Sequence, residues 1–216
     1  SNHPIKVSSL KNYVSNPLQI CKTLEKRNLV TLIKQPSLPD VSGFSFEPLH
    51  KEVVFNQDQS KVVKQITKSL KKQKYSPFLL HGVTGSGKTE IYISAVHYCL
   101  SQNRSAIILL PEISLTPQIA GRFKSVFGDS IALWHSKLSK SQRSWTWAQI
   151  CKGTFKVVIG ARSAIFAPLK NLGLIVIDEE QEASFRQDSP APRYHARDVA
   201  LIRAKYEESV AVLSSA

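Results

Sequence analysis

The sequence predicts an α/β domain in which a parallel sheet is flanked by helices, with a small appendage at its N-terminal end. From about Phe78 onward, short apolar runs alternate with segments of helical periodicity. Two of the runs, Ala106 to Leu110 and Leu172 to Ile177, are apolar at nearly every position, as is typical of strands buried on both faces of a parallel sheet. The loops after such strands gather at one edge, where ligands bind in this class.

The same patterns predict each element of this domain. Asn56 or Asp58 caps the first expected helix, whose apolar positions share one face. Its lysines indicate a solvated face more than a nucleic-acid track; they are Lys61, Lys64, Lys68, Lys71, Lys72 and Lys74. Further helices are expected over 90–100, 117–127, 139–151 and 195–206, and strands over 78–80, 106–110, 131–134, 155–159, 172–177 and 209–213.

The N-terminal segment, residues 1–35, is expected to contain two short helices and a strand between Val7 and Lys34. It fits the latter part of a winged-helix module, which would place a helix on DNA, and it fits a small packing appendage equally well. Residues 36–54 are rich in Pro and Ser and are predicted to be a linker. The second domain then spans residues 55–216.

Composition limits the function classes. The net charge of +13 in 216 residues raises the expectation of a polyanionic partner, although a basic surface that only confers solubility has the same charge. Cys21, Cys99 and Cys151 are far apart, so we expect neither disulfides nor a zinc site, and a reducing, cytoplasmic setting. No apolar run reaches membrane-spanning length, and no membrane partner is expected. The absence of Met and the Ser1-Asn2 start predict an excised fragment.

The strongest motif is G-x-x-x-x-G-K-[ST], which Gly82 to Thr89 match at every fixed position, between a predicted strand and a predicted helix. The glycines allow successive backbone N–H groups to turn around phosphate oxygens at a helix N-terminus. Lys88 would neutralise the β and γ phosphates and Thr89 would bind Mg²⁺. The nucleotide-binding residues predicted here are Gly82, Thr84, Gly85, Ser86, Gly87, Lys88 and Thr89. A glycine-rich turn that binds nothing is the alternative, and the flanking elements argue against it.

A second motif is the acidic pair Asp178-Glu179, which directly follows an apolar strand. Asp178 would hold Mg²⁺ through a water molecule, and Glu179 would orient and deprotonate an attacking water. An acidic pair after a strand is weak evidence alone and becomes strong evidence after a phosphate-binding loop. The predicted catalytic residues are therefore Lys88, Asp178 and Glu179, and the predicted reaction is hydrolysis of a nucleoside triphosphate.

Together these motifs, with the segments 111–118 and 160–164 and the terminal Ser214-Ser215-Ala216, resemble the first, RecA-like motor lobe of superfamily-two helicases. More narrowly, the segments GARSAIFAP, NLGLIVIDEE and RYHARDVA, which begin at residues 160, 171 and 193, are similar to the PriA family of primosomal replication-restart helicases. The resemblance covers residues 55–216, and it is loose before about Lys34.

The resemblance implies an ATP-dependent 3′-to-5′ DNA helicase that binds forked and single-stranded DNA and works with primosome proteins and single-stranded DNA-binding protein. By the same resemblance, Gln59 reads the adenine and Phe55 packs nearby. The positions that match DNA-facing loops are Pro111, Thr116, His135, Ser136, Arg162 and Ser163, and those in an aromatic-rich loop are Phe185, Arg186, Arg193 and Tyr194. Aromatic and arginine side chains suit base stacking and phosphate contact.

The sequence departs from the family in three respects. Gln181 stands where the family usually has His, which leaves coupling through that position open but not Mg²⁺ binding. The family's zinc region and second motor lobe, with its arginine fingers, are not found in these 216 residues. We therefore expect the chain alone to bind ATP weakly, to hydrolyse it negligibly and not to unwind DNA.

Two other functions fit part of the sequence. A small-molecule kinase would also use the phosphate-binding loop, but it would leave Glu179 and the DNA-facing loops as coincidences. A DNA-dependent scaffold with a vestigial ATP site is disfavoured by the intact Lys88, Thr89, Asp178 and Glu179.

Overall fold

The structure is a computed structural model that describes residues 5, 7–33, 54–83 and 85–215. It divides the chain into two compact units, Ser1–Ser37 and Leu38–Ala216. The predicted linker over residues 36–54 lies outside the described residues except for Val54, and so does Thr84 of the predicted phosphate-binding loop.

The N-terminal unit contains a 3₁₀ helix, Val7–Asn12, and the α-helix α1, Pro17–Lys26. Pro17 occupies the first position of α1, where a missing N–H costs no intrahelical hydrogen bond. The strand expected after α1 was wrong, because the described stretch 27–33 forms none. The N–H of Leu32 donates instead to the carboxylate of Glu25 at 2.8 Å, so a β-rich composition without a neighbouring strand did not produce a strand here.

The second unit is built on a six-stranded sheet in the order β1-β8-β5-β2-β4-β3, in which every neighbouring pair is parallel. The α/β class with a parallel sheet is therefore confirmed. The strands are β1 Ser76–His81, β2 Ser105–Leu109, β3 Ile131–Trp134, β4 Val157–Gly160, β5 Leu172–Ile177 and β8 Val210–Ser215. A separate antiparallel pair, β6 Arg186–Gln187 and β7 Tyr194–His195, was not predicted.

Helices cover both faces of this sheet. They are α2 Gln57–Lys72, α3 Lys88–Ser101, α4 Pro117–Phe127, α5 Lys140–Lys152 and α6 Ala196–Tyr206, with ends within about two residues of those expected. Buried side chains of α2, α3 and α4 pack in one cluster, and those of α5 and α6 pack in a second. Strand β5 serves both clusters, because Val176 belongs to the first and Ile175 to the second, as the alternation of side chains along a strand requires.

Parallel pairing fixes where the functional loops lie. All six strands of the sheet run in one direction, so the loops that follow β1, β2, β3, β4 and β5 emerge at the same edge. The phosphate-binding loop and the acidic pair both belong to this set. Among the residues that the structure describes, no helix is long and apolar enough to cross a membrane.

Candidate nucleotide-binding site

The phosphate-binding loop joins β1 to α3 and depends on its glycines. Gly85 and Gly87 have φ values of 81° and 82°, in the left-handed region that glycine adopts without a steric penalty. A Cβ added at Gly87 would also lie 2.5 Å from the Nε2 atom of Gln59. The backbone angle therefore favours glycine at position 87, and a larger residue there would also displace the amide group of Gln59.

The ammonium group of Lys88 lies over its own loop. It donates to the carbonyl oxygen of Gly82 and, at 3.3 Å, to that of Val83. These acceptors are neutral carbonyls, whereas phosphate oxygens carry charge and form stronger, charge-assisted hydrogen bonds with a cation. Lys88 is thus held beside the place where its motif predicts a triphosphate.

Gln59 ties α2 to the same loop. Its Oε1 accepts from the N–H of Asn56 at 2.9 Å, while its own N–H donates to Asn56 Oδ1 at 2.8 Å, which completes a capping box at the start of α2. Its Nε2 donates to the carbonyl oxygen of Ser86 at 2.8 Å. Phe55, predicted to lie near the adenine, is half-buried against the core cluster of α2 and α3.

Asp178 follows directly after β5 and is held by two hydroxyl groups. Tyr92 of α3 donates to its Oδ1 at 2.8 Å, and Ser214 of β8 donates to the same oxygen at 3.1 Å. Burial, together with the negative charge of Asp178, raises the pKa of the Tyr92 hydroxyl well above its usual range. Tyr92 therefore remains a proton donor at any pH at which the protein functions.

The chain turns sharply after Asp178. Glu179 has a φ of 51°, in the left-handed region that non-glycine residues adopt infrequently. The N–H of Glu180 then donates to the carbonyl oxygen of Ser214 at 2.8 Å, and its carboxylate pairs with Arg197 at 3.1 Å. Gln181, which stands where the family usually has His, is exposed.

One cavity brings the predicted catalytic residues together. Its volume is about 320 Å³. It is lined by Gly85, Gly87, Lys88, Thr89, Glu90, Arg122, Asp178 and Glu179. Lys88, from the end of the loop, and the acidic pair, from the end of β5, are therefore neighbours although 90 positions separate Lys88 from Asp178 in the sequence. This arrangement can hold a metal-bound polyphosphate.

The loops predicted to face DNA are joined to each other by hydrogen bonds. Thr116 caps α4 through its hydroxyl group, which accepts from the N–H of Ile119 at 3.4 Å. The hydroxyl of Ser136 donates to the carboxylate of Glu112, which connects the loop after β2 to the loop after β3. Pro111 differs from the expectation of a surface contact, because its ring is buried and its carbonyl accepts from the backbone of the following turn.

His135 lies in the loop after β3 and is half-buried. Burial, together with the positive charge of Lys137, lowers its pKa below the ordinary value of 6.5, against the opposing effect of Glu112. The imidazole is therefore uncharged at neutral pH. It can take part in hydrogen bonds there but carries no positive charge.

Arg162 organises the short hairpin of β6 and β7. Its guanidinium group donates to the carbonyl oxygen of Arg186 at 2.6 Å and to Oε1 of Gln187 at 3.1 Å. The guanidinium carbon also lies 5.8 Å from the ring centroid of Tyr194, within cation–π range.

The other predicted DNA-facing residues near this hairpin differ in exposure and contacts. The Oγ atom of Ser163 accepts from the indole N–H of Trp134 at 3.1 Å. Arg186 and Arg193 are exposed, and Tyr194 is half-buried.

Phe185 differs from the sequence-based expectation. It was predicted to stack on bases, yet it is fully buried in the core cluster on the α5 and α6 face. An aromatic side chain that begins a loop can serve either as a surface contact or as an anchor, and burial of apolar area decides between the two. Phe185, which directly precedes β6, therefore fixes the start of the hairpin to the core.

The comparisons with known proteins identify the family. The sequence profile of the DEAD/DEAH box helicases matches residues 56–216, three quarters of the chain. The chain belongs to the DEAD/DEAH box helicase family. Its similarity to replication restart protein PriA is also confirmed: it is 40% identical to the protein of Chlamydia pneumoniae over 99% of this chain and 48% identical to that of Bacillus subtilis over 74% of it. It spans 28% and 20% of the lengths of these two relatives.

Solved structures support the fold of this helicase domain. The structure of RecG bound to a three-way DNA junction matches 76% of this chain and 21% of the RecG chain, with a TM-score of 0.58 and 21% identity. The helicase MrfA bound to DNA matches 86% of this chain and 27% of its own, with a TM-score of 0.54 and 18% identity. Because both sequence identities are below 25%, the similarity shows a shared fold and not a shared function.

Four residues of this helicase site were not selected from the sequence: Tyr92, Ser214, Glu90 and Arg122. Tyr92 follows Lys88 by four positions, so the two lie on one face of α3, and that spacing is a signal that could have been used. Ser214 lies in the terminal serine pair that carried part of the resemblance. Arg122 reaches the cavity only because α4 packs beside α3, which no local pattern encodes.

Proposed function

We propose that this chain is the ATP-binding motor lobe of a replication-restart DNA helicase that hydrolyses ATP and moves 3′ to 5′ along DNA. The observation that carries the proposal is the shared cavity of Lys88, Asp178 and Glu179. A lysine at a phosphate-binding loop and two carboxylates at a neighbouring strand end are the parts that hydrolysis of a triphosphate requires.

The proposed roles follow from the contacts of each side chain. Lys88 exchanges the carbonyl oxygens of Gly82 and Val83 for the β and γ phosphates of ATP. Glu179 orients a water molecule toward the γ phosphate and takes its proton. The hydrogen bond between Gln59 and Ser86 sets the position of the loop and of the adenine-reading side chain together.

Mg²⁺ is the proposed cofactor, and Thr89 and Asp178 would hold it. In the described part of the chain, no three His, Cys, Asp or Glu side chains are grouped to form a metal site of their own. A protein Mg²⁺ site that is shared with substrate phosphates needs only one or two protein oxygens, so this donor set fits. When bound, the ion neutralises charge on the phosphates. Tyr92 and Ser214 both donate to Oδ1 of Asp178, which holds the carboxylate in a defined orientation.

DNA is the proposed polymer substrate, and the loops after β2, β3 and β4 together with the hairpin are its proposed contacts. Support comes from the net charge of +13 and from the exposed Arg186 and Arg193 beside Tyr194. Primosome proteins and single-stranded DNA-binding protein are proposed partners on the family resemblance. A second motor lobe would supply the arginine fingers, so we expect the 216 residues alone to hydrolyse ATP negligibly.

The test is the rate of ATP hydrolysis by the intact protein with and without forked DNA, compared between the unsubstituted protein and Lys88→Ala. We expect DNA to stimulate hydrolysis and Lys88→Ala to abolish the stimulated rate, by on the order of a hundredfold or more. Lys64→Ala, which removes an exposed lysine from α2, is the matched control and should keep the rate.

The other functions predict different results from the same variants. A kinase would transfer phosphate to a small acceptor and lose that transfer with Lys88→Ala, without any effect of DNA. A scaffold would bind DNA equally well with and without Lys88. Duplexes with a single-stranded tail at the 3′ or the 5′ end, unwound in parallel, test the proposed polarity.

A further inference from the structure

We propose that Arg122 is a second phosphate-binding cation of this site, that it acts on the γ phosphate, and that Glu90 holds it when no triphosphate is present. The inference rests on the proposed ATP site and adds to it a residue outside the phosphate-binding loop and the acidic pair. Arg122 belongs to α4, an element that the recognised nucleotide motifs do not include.

The position of Arg122 is set by the packing of α4 against α3. Its neighbour in the sequence, Phe123, is fully buried, and Phe127, one turn further on, is nearly so. The ring of Phe127 lies 4.7 Å from the ring of His97 on α3, between centroids. This packing places the Arg122 side chain on the wall of the cavity that Lys88 and the acidic pair also line.

The negative charge of a triphosphate in this cavity favours a second cation beside Lys88. Its lining residues carry three carboxylates, from Glu90, Asp178 and Glu179, and two cations, from Lys88 and Arg122. A bound triphosphate adds several negative charges beside those carboxylates. A guanidinium group can donate two parallel hydrogen bonds to a phosphate, which a lysine cannot do.

The γ phosphate is the expected contact because of what surrounds Arg122. Gln59, the predicted adenine reader, contacts the loop at Ser86, whereas Arg122 contacts Glu90 in the first turn of α3. Arg122 also shares its cavity with Glu179, whose proposed water molecule must lie next to the γ phosphate. The end of the nucleotide that distinguishes ATP from ADP therefore lies on the Arg122 side.

The pairing of Arg122 with Glu90 marks the state without a triphosphate. Their side chains are 42% and 16% exposed, respectively, so the pair is open to solvent on the arginine side. A partly exposed pair contributes little to stability, and the aromatic packing of α4 already fixes this helix. A triphosphate offers Arg122 a more highly charged acceptor, and the guanidinium group then moves from Glu90 to the phosphate.

The experiment is equilibrium binding of two nucleotides to the intact protein, ATPγS and ADP, each with Mg²⁺. For Arg122→Gln we expect the dissociation constant for ATPγS to rise by on the order of tenfold and that for ADP to stay within about twofold. Arg122→Lys keeps the charge but not the two parallel donors. Its dissociation constant for ATPγS should therefore lie between those of the unsubstituted protein and Arg122→Gln. For Glu90→Gln we expect tighter binding of ATPγS, because Arg122 loses its competing partner.

Three controls make the outcomes decisive. Lys124→Gln removes a cation from the same helix outside the cavity lining and should change neither constant. Thermal unfolding of Arg122→Gln shows whether the helix has kept its packing. Lys88→Ala should weaken both nucleotides, and if it does not, the proposed ATP site itself is wrong.

If Lys88→Ala weakens both nucleotides while Arg122→Gln affects ATPγS and ADP equally or not at all, the ATP site stands and the role of Arg122 is overturned. If Glu90→Gln weakens the binding of ATPγS as Arg122→Gln does, the Arg122–Glu90 ion pair only holds α3 and α4 together. The proposed movement of Arg122 from Glu90 to the phosphate is then overturned.

Discussion

The carboxylate of Asp178 shows how a single residue of this site depends on several elements at once. Asp178 follows directly after β5, and its backbone N–H donates to the carbonyl oxygen of Leu109 at the end of β2. Its carboxylate oxygen Oδ1 accepts from Tyr92 of α3 and from Ser214 of β8. A carboxylate with two hydroxyl donors on one oxygen presents its other oxygen in a defined direction. The proposed contact of Asp178 with Mg²⁺ therefore depends on residues far apart in the sequence.

His135 carries a prediction about pH at the scale of one residue. Its folded-state pKa lies below the ordinary 6.5, so the unfolded chain binds more protons than the folded chain in the interval between the two values. Stability is then fully present above pH 6.5 and is lost as the pH falls toward the folded-state pKa. We expect His135→Gln to reduce the loss of unfolding free energy on acidification, measured by denaturant unfolding above and below pH 6.5.

The groups that face His135 define the control for this measurement. Lys137, Glu112 and Arg143 all act on its imidazole, and each remains in the His135→Gln variant. Parallel pH curves for the unsubstituted protein and His135→Gln would contradict the lowered pKa.

At the scale of one element, the start of α2 couples helix stability to the phosphate-binding loop. Asn56 caps α2, and the same capping box positions Gln59, which bonds to Ser86. We expect Asn56→Ala to cost about 1 kcal/mol of unfolding free energy. It should also weaken ATP binding by about threefold or more, because the backbone N–H of Gln59 loses its acceptor, Asn56 Oδ1, and the first turn of α2 that carries the Gln59 side chain is held less firmly. Denaturant unfolding and nucleotide titration measure the two effects.

Helix α5 provides the matched control for this prediction. Its capping box, formed by Ser139 and Gln142, has the same chemistry as that of α2 but begins a helix on the other face of the sheet. Ser139→Ala should therefore destabilise the protein to a similar degree and leave ATP affinity unchanged. Equal effects of the two variants on ATP binding would show that α2 does not position the loop.

The elements differ in how far the sequence determined them. The central strands β2, β4 and β5 are buried at every residue, and their nearly continuous apolar runs made their positions predictable within about two residues. The hairpin of β6 and β7 was missed, because its strands have two residues each and their pairing is supported by Arg162 from another loop. The strand expected after α1 failed because β-prone residues need a partner strand.

The site residues also fall into two groups, those that a sequence motif predicts and those that only the packing of the fold determines. Lys88, Asp178 and Glu179 belong to motifs in which spacing and flanking elements indicate their chemistry. Arg122 and Phe185 depend on packing: a helix beside another helix brings the first to the cavity, and burial removes the second from the surface. Local sequence patterns do not encode such contacts, so the sequence predicted Lys88 and the acidic pair but not the arginine that lines the same cavity.

At the scale of the whole molecule, the basic charge is distributed over two faces of the sheet. Lys64 and Lys68 are exposed on α2, which packs with the first core cluster. Arg186 and Arg193 are exposed on and beside the hairpin, whose Tyr194 packs with the second cluster. The net charge of +13 therefore does not by itself say which face contacts a nucleic acid.

The dependence of DNA binding on salt distinguishes the two faces. Each phosphate contact with single-stranded DNA contributes about 0.7 to the slope of log affinity against log salt, because binding releases condensed counterions. We expect the double variant Arg186→Gln, Arg193→Gln to make the slope shallower by about 1.4, and the double variant Lys64→Gln, Lys68→Gln to leave it nearly unchanged. Fluorescence anisotropy of a labelled single strand, titrated with the intact protein at several salt concentrations, measures both slopes. A shallower slope only for the lysine variant would move the DNA track to α2 and would remove the hairpin from the proposed interface.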